Sequence, residues 1–196
     1  ENFSLKITED NGNYLCQPLR NGNYEDGIKW EDVLKYYGNL DDGISRLRLK
    51  YHGRLDDLNA DVIGTLSSTN NPEFLSFTVD KDTLPTNTIT AVDRVIDADK
   101  AKPGFNGIPQ PAVGQRYLSL TSAPSSSVWG LDIDMNDIIE YNGTAWVKSF
   151  DASSYDLRAY VTNTFTGQQF KFESGEWSDT FQGIYDAGYW RLELIQ

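Results

Sequence analysis

The sequence predicts a mainly β chain of antiparallel hairpins and sandwich-like sheets with one short helix, divided into two small subdomains. Three observations carry this reading. Strict apolar–polar alternation recurs in short stretches, as in Arg46-Leu47-Arg48-Leu49-Lys50-Tyr51, which is the two-residue period of a half-buried strand. Asn-Gly steps sit between apolar-containing flanks, a strong hairpin signal because both residues tolerate positive φ. Asp outnumbers Glu about two to one, and Asp favours turns over helix interiors because its side chain bonds nearby backbone.

The elements follow in order. Asn-Gly-Asn-Tyr occurs at 11–14 and again at 21–24, predicting a hairpin turn at each. Residues 28–37 place Ile28, Trp30, Val33, Leu34 and Tyr37 at helical spacing, with Gly38 where a C-terminal cap belongs. Residues 46–51 put Leu47, Leu49 and Tyr51 on one strand face and three cations on the other. Residues 73–79 align Leu75, Phe77 and Val79, and 88–96 read as a further strand. The Pro/Gly-rich run 101–111 cannot sustain a helix or a central strand and reads as a linker. It separates an N-terminal domain, 1–100, from a C-terminal hairpin-repeat domain, 112–196.

The C-terminal part repeats itself. Ile139–Phe150 and Phe170–Phe181 align without a gap at an offset of 31 residues, each reading apolar-charged-aromatic, four residues, Trp, three residues, Phe. A partial third copy is Tyr185-Asp186-Ala187-Gly188-Tyr189-Trp190. Each copy predicts a short hairpin in which the aromatic and the Trp meet across the strands. Such hairpins are marginal alone and fold by packing their aromatics together. Trp146, Trp177 and Trp190 are therefore expected in the core. Trp129, after a serine-rich loop, is the one expected on the surface, with Tyr155 and Tyr189 completing a candidate interaction surface.

Composition narrows the function. Val, Ile, Leu and Phe make up about a quarter of the chain, and 5 Trp and 11 Tyr add to what can be buried. A net charge of -12 repels phosphate backbones and anionic membranes, so neither nucleic acid nor membrane is an expected partner. No apolar run reaches the ~20 residues of a membrane-spanning helix. The chain begins Glu1-Asn2-Phe3, which suggests a processed product, an excised domain or part of something longer.

Motifs for chemistry are sparse. His52 lies between a strand and a turn with no nucleophile elbow in the sequence. Cys16, in an apolar strand-like context, reads as a buried hydrophobe rather than a thiolate. One His and one Cys do not make a structural zinc site, and no glycine-rich phosphate loop occurs. Asp41-Asp42 and Asp56-Asp57 read as turn acids, although a two-carboxylate glycosidase needs only a suitable pair across a cleft. Asp132, Asp134 and Asn136 match the opening of a calcium loop, but Asp137 replaces the turn glycine and Gly143 the bidentate acid. That segment is read as a polar turn. No catalytic residue, metal or cofactor is therefore expected.

Gly114-Gln115-Arg116-Tyr117-Leu118, Trp129-Gly130, the hairpin Asn136–Trp146 and Gly188-Tyr189-Trp190-Arg191-Leu192 together resemble small β-modules in virion structural proteins of tailed bacteriophages, those of tail, baseplate and neck. The resemblance covers about residues 112–196. It implies a non-enzymatic virion component, assembled in the host cytoplasm, whose partners are other virion proteins and copies of itself in a symmetric homo-oligomer. Glu173-Ser174-Gly175 replaces Asn-Gly-Thr in the second hairpin, so the pattern is complete only once. An acidic wall would also keep such a component from adhering to DNA in a conduit. The alternative is a carbohydrate-binding β module, with exposed Trp and Tyr faces stacking on glycan rings. A glycan-cleaving enzyme stands third.

Overall fold

The computed structural model describes residues 3–20, 28–50 and 61–194. The chain divides into two units, Glu1–Pro85 with Phe181–Gln196, and Thr86–Thr180. The described residues are mainly β with one α-helix, in largely antiparallel sheets.

The first unit begins with β1 (Phe3–Asp10) and β2 (Asn13–Arg20). Asn11 and Gly12 join them with φ of 51° and 82°, the doubly left-handed turn that matches strand twist. The second Asn-Gly-Asn-Tyr, 21–24, lies outside the described residues, as do Tyr51, His52 and Asp56-Asp57. The helix α1 (Trp30–Tyr37) ends where expected, with the Gly38 N–H donating to the Leu34 carbonyl at 2.8 Å. β3 (Arg46–Lys50), β4 (Asp61–Ser68) and β5 (Leu75–Val79) follow. Leu47 and Leu49 are buried, as their alternation predicts.

The chain returns to this unit at its end, as β13 (Gly183–Tyr185) and β14 (Trp190–Glu193), so that the strand order is β13-β1-β2-β5-β4-β3-β14. Only residues 186–189 connect the two edge strands. Five Cα steps span at most ~18 Å, whereas seven flat strands at ~4.8 Å spacing would be ~29 Å wide. The sheet must therefore curl until its edges approach. The Trp190 indole N–H donates to the Phe3 carbonyl at 3.0 Å, and Ser4 Oγ to Asp186 at 3.2 Å, closing that seam. α1 lies over it, Tyr36 against Phe3 and Tyr37 against Trp190. Inside sit Leu5, Ile7, Cys16, Leu47, Leu49, Val62, Leu66 and Phe77.

This closure corrects the third repeat copy. Tyr185 and Trp190 have the expected spacing but form no hairpin with each other: Tyr185 pairs with Leu5, and Trp190 with Leu49. The two strands take the open edges of β1, over three residue pairs, and of β3, over four, instead of pairing with each other.

The second unit contains β6 (Arg94–Ile96), β7 (Arg116–Ser119), β8 (Ile138–Tyr141) and β9 (Trp146–Phe150) in one sheet, with β6 and β7 parallel. β10 (Ala159–Thr162), β11 (Gln169–Glu173) and β12 (Glu176–Asp179) form another. Of the strand expected over 88–96, only Arg94–Ile96 forms. The backbone of Thr88, Ile89 and Val92 bonds instead to Tyr160 and Thr162 carbonyls.

The expected boundaries, 1–100 and 112–196 joined by a linker at 101–111, are not where the chain divides. Residues 101–111 lie within the second unit, held by Gly104 N–H to Pro109 O (3.1 Å) and Ile108 N–H to Phe105 O (2.9 Å). Ile108 packs on the core that contains Trp129 and Trp146. Pro and Gly deny this segment a ladder, which holds equally for a linker and for a packed loop; burial of Ile108 separates the two.

Candidate interaction surface

The second unit is framed by its two hairpins. Tyr141 pairs with Trp146 across β8–β9, and Phe172 with Trp177 across β11–β12, with ring centroids 5.3 Å and 5.1 Å apart. The five-residue spacing is the same, but the turns differ. Asn142 Oδ1 accepts the Thr144 and Ala145 N–H groups in the first. Ser174 and Gly175 make a left-handed two-residue turn in the second. Each hairpin seeds an aromatic cluster: Tyr117, Trp129, Tyr141 and Trp146 in one, Phe150, Tyr155, Phe172 and Trp177 in the other.

Trp129 is a correction. Expected on the surface, it is 2% exposed, stacks edge-on to Tyr117 and Trp146, and donates its indole N–H to the Ala98 carbonyl at 2.9 Å. The serine-rich loop before it concealed a segment that folds back on the sheet. Trp177 likewise donates to the Asn136 carbonyl at 2.9 Å, and Trp30, in the first unit, to that of Cys16. Trp30, Trp129, Trp177 and Trp190 thus act as struts, each packing a large apolar body in or against a core and giving its N–H to a backbone carbonyl.

Tyr155 is half-buried against Phe150 and Phe172. Tyr189 belongs to the first unit, 44% exposed on the link between β13 and β14. Buried Trp129 thus leaves the candidate surface, and Tyr155 and Tyr189 belong to different units.

The segment that resembled a calcium loop is a bracket. Asp137 has no exposed surface; its Oδ2 accepts the Asp134 N–H (2.8 Å), its Oδ1 the Ala152 N–H (3.0 Å), and Lys148 Nζ lies 2.7 Å away. Burial opposes the charge on Lys148, but Asp137 and Asp134 outweigh it and hold the ammonium above its usual pKa. Asp132 accepts the Ser125 N–H at 2.7 Å, and the Asn136 amide donates to Gly175 O at 3.2 Å. These oxygens organise backbone. Among the described residues no group of three His, Cys, Asp or Glu side chains could hold a metal ion.

Other reactive residue types are similarly placed. Cys16 is fully buried, and burial pushes its thiol well above the ordinary range, which disfavours the nucleophilic thiolate. Asp42 Oδ1 accepts the Ser68 backbone N–H, a turn-acid role.

Two depressions open on the second unit. One, about 530 Å³, is floored by Trp129, Tyr141 and Trp146 and rimmed by Phe105, Val128 and Gln110. The other, about 550 Å³, has Phe172 and Tyr155 beneath and Met135, Leu157, Asp134 and Asp156 around it. Phe105, Met135 and Leu157 are 64%, 57% and 65% exposed. Sequence reasoning missed these rim residues, although a large apolar side chain in a turn-dense, non-alternating stretch such as Pro103-Gly104-Phe105-Asn106-Gly107 was a usable signal.

No family model matches the chain, and neither the curated proteins nor the solved structures contain a significant match.

Proposed function

We propose that this chain is a non-enzymatic structural component of a tailed-bacteriophage particle, acting through protein–protein contacts in a symmetric assembly. The observation that carries the reading is the exposure of Phe105, Val113, Val128, Met135 and Leu157 within one unit, four of them on the rims of its two depressions. Large apolar side chains gathered around a concavity cost free energy in water and mark surfaces that a partner covers. The aromatic struts beneath give such a surface a rigid base, which lowers the ordering cost of association. The phage assignment itself rests on the resemblance over about residues 112–196.

Native mass spectrometry of the full chain tests the assembly. A single defined stoichiometry is expected, weakened by Phe105→Ser together with Val128→Ser. A chain that stays monomeric up to about 100 μM, where associations of about 5.5 kcal/mol would register, overturns it.

A carbohydrate-binding reading is favoured by one feature: the depression lined by Phe105, Tyr141 and Trp146 also carries the Gln110 amide and Thr144. Rings for sugar faces beside polar groups for hydroxyls are what such sites use. Binding on a glycan array, lost in Phe105→Ser, would select this reading over assembly.

A further inference from the structure

We propose that the depression between the 134–137 turn, residues 152–157 and the β11–β12 turn docks a segment of a partner protein bearing an apolar side chain beside a lysine or arginine. This rests on the assembly reading and names the partner's chemistry.

The site is built before anything binds. Asp137 ties the 134–137 turn to Ala152, the Asn136 amide ties it to Gly175, and the Trp177 indole returns to the Asn136 carbonyl. Three separate loops are thus fixed to one another around the Phe172 and Tyr155 rings. At about 550 Å³ the space lies within the ~300–1,000 Å³ that accommodates compact ligands. Walls held this way lose little freedom on binding.

The rim chooses the occupant. Met135 and Leu157 offer apolar surface, and Met adapts its shape to varied partners. Asp134 and Asp156 stand beside them. Lys148 bridges Asp134 and Asp137, while exposed Asp156 meets no cation among the described residues. A cation next to an apolar anchor matches this arrangement, and the net charge of -12 on the whole chain steers cationic segments toward it. A second copy does not supply such a segment from Arg46–Lys50: Leu47 and Leu49 are sealed in the first unit's core, and Arg48 is paired with Glu193.

Met135 is the only methionine in the sequence, so [¹³C-methyl]Met labelling of the full chain places one methyl signal on the rim. The probe is a capped heptapeptide with one leucine flanked by two lysines in a glycine-serine context; its control carries two glutamates instead. The lysine peptide should shift the Met135 signal saturably and the glutamate peptide should not. Asp156→Asn should weaken the lysine peptide by about two- to fivefold, the range of a partly exposed ion pair, with the unliganded spectrum unchanged. Four outcomes overturn the inference: no shift, equal shifts with both peptides, a shift on concentrating the protein alone (a second copy as occupant), or a shift only with oligosaccharides. An unmoved signal in a chain that still assembles with defined stoichiometry removes this inference and leaves the assembly reading standing. A responsive signal in a strictly monomeric chain does the reverse.

Discussion

Replacing Asp137 by Ala should destabilise the second unit by about 3–5 kcal/mol, the range for removing one partner of a buried ion pair. The carboxylate has no exposed surface and serves three donors: the Asp134 and Ala152 N–H groups at 2.8 and 3.0 Å, and Lys148 at 2.7 Å. Hydrogen bonds to a charged group contribute about 1.5–3 kcal/mol each, and stranding the buried donors costs at least as much. Lys148 recovers part of the loss because Asp134 remains 3.3 Å away on the solvent side, which keeps the total from exceeding the upper end. Domains of this size are stable by about 5–15 kcal/mol, so the substitution should move the unfolding transition far. Asp137→Asn retains one acceptor oxygen and should cost roughly half as much. Urea unfolding followed by ¹⁹F spectra of 5-fluorotryptophan protein checks this, because Trp129, Trp146 and Trp177 report on the unit containing Asp137. A loss below about 1 kcal/mol for Asp137→Ala, the level of an exposed pair, would refute the view that this residue brackets the loops.

Further outcomes follow from the packing. Trp129→Ala should cost about 3–5 kcal/mol, as for a buried Trp; a change within ~0.5 kcal/mol in the same urea experiment would return Trp129 to the surface. Gly64→Ala should cost about 3 kcal/mol or more by overpacking, because its Cβ would lie 2.3 Å from Phe77 Cε2 and 2.5 Å from the Thr78 carbonyl. Adding Phe77→Leu should recover part of that loss, and thermal unfolding of the single and double variants measures it. Glu173 is held below its usual 4.5 by the Arg158 hydrogen bond first and then by Lys171. A depressed folded pKa gives stabilisation that is present above about 4.5 and lost as pH falls through the folded value. The stability difference between wild type and Glu173→Gln should therefore be present at neutral pH and close on acidification; a difference constant with pH would contradict it.

Local signals carried much of the fold. The Asn11-Gly12 turn, the helix ending before Gly38, the buried face of Leu47 and Leu49, and the Tyr141–Trp146 and Phe172–Trp177 pairs all follow from residues within a few positions of each other. Cross-strand partners in a tight hairpin are also sequence neighbours, so spacing alone specifies them. The same spacing at Tyr185–Trp190 misled, because Tyr185 pairs with Leu5 and Trp190 with Leu49, partners far away in sequence. The candidate surface was less legible. Of Trp129, Tyr155 and Tyr189, one is core, one floors a depression and one lies in the other unit. The rim residue Met135 stood in a segment read as a polar turn, and Leu157 follows the polar run Asp151-Ala152-Ser153-Ser154-Tyr155-Asp156, which has no alternation to mark it.

Taken alone, the chain of residues determined its β class, its turns and the aromatic hairpins, since these depend on backbone preferences and contacts between near neighbours. Tertiary structure decided three things: that the last strands return to close the first sheet, that 101–111 packs as a loop, and that Asp137, Asn136 and Trp177 together tie three loops around an apolar depression. Each depends on residues far apart in sequence meeting at specific distances, and no local period or turn preference encodes such a meeting.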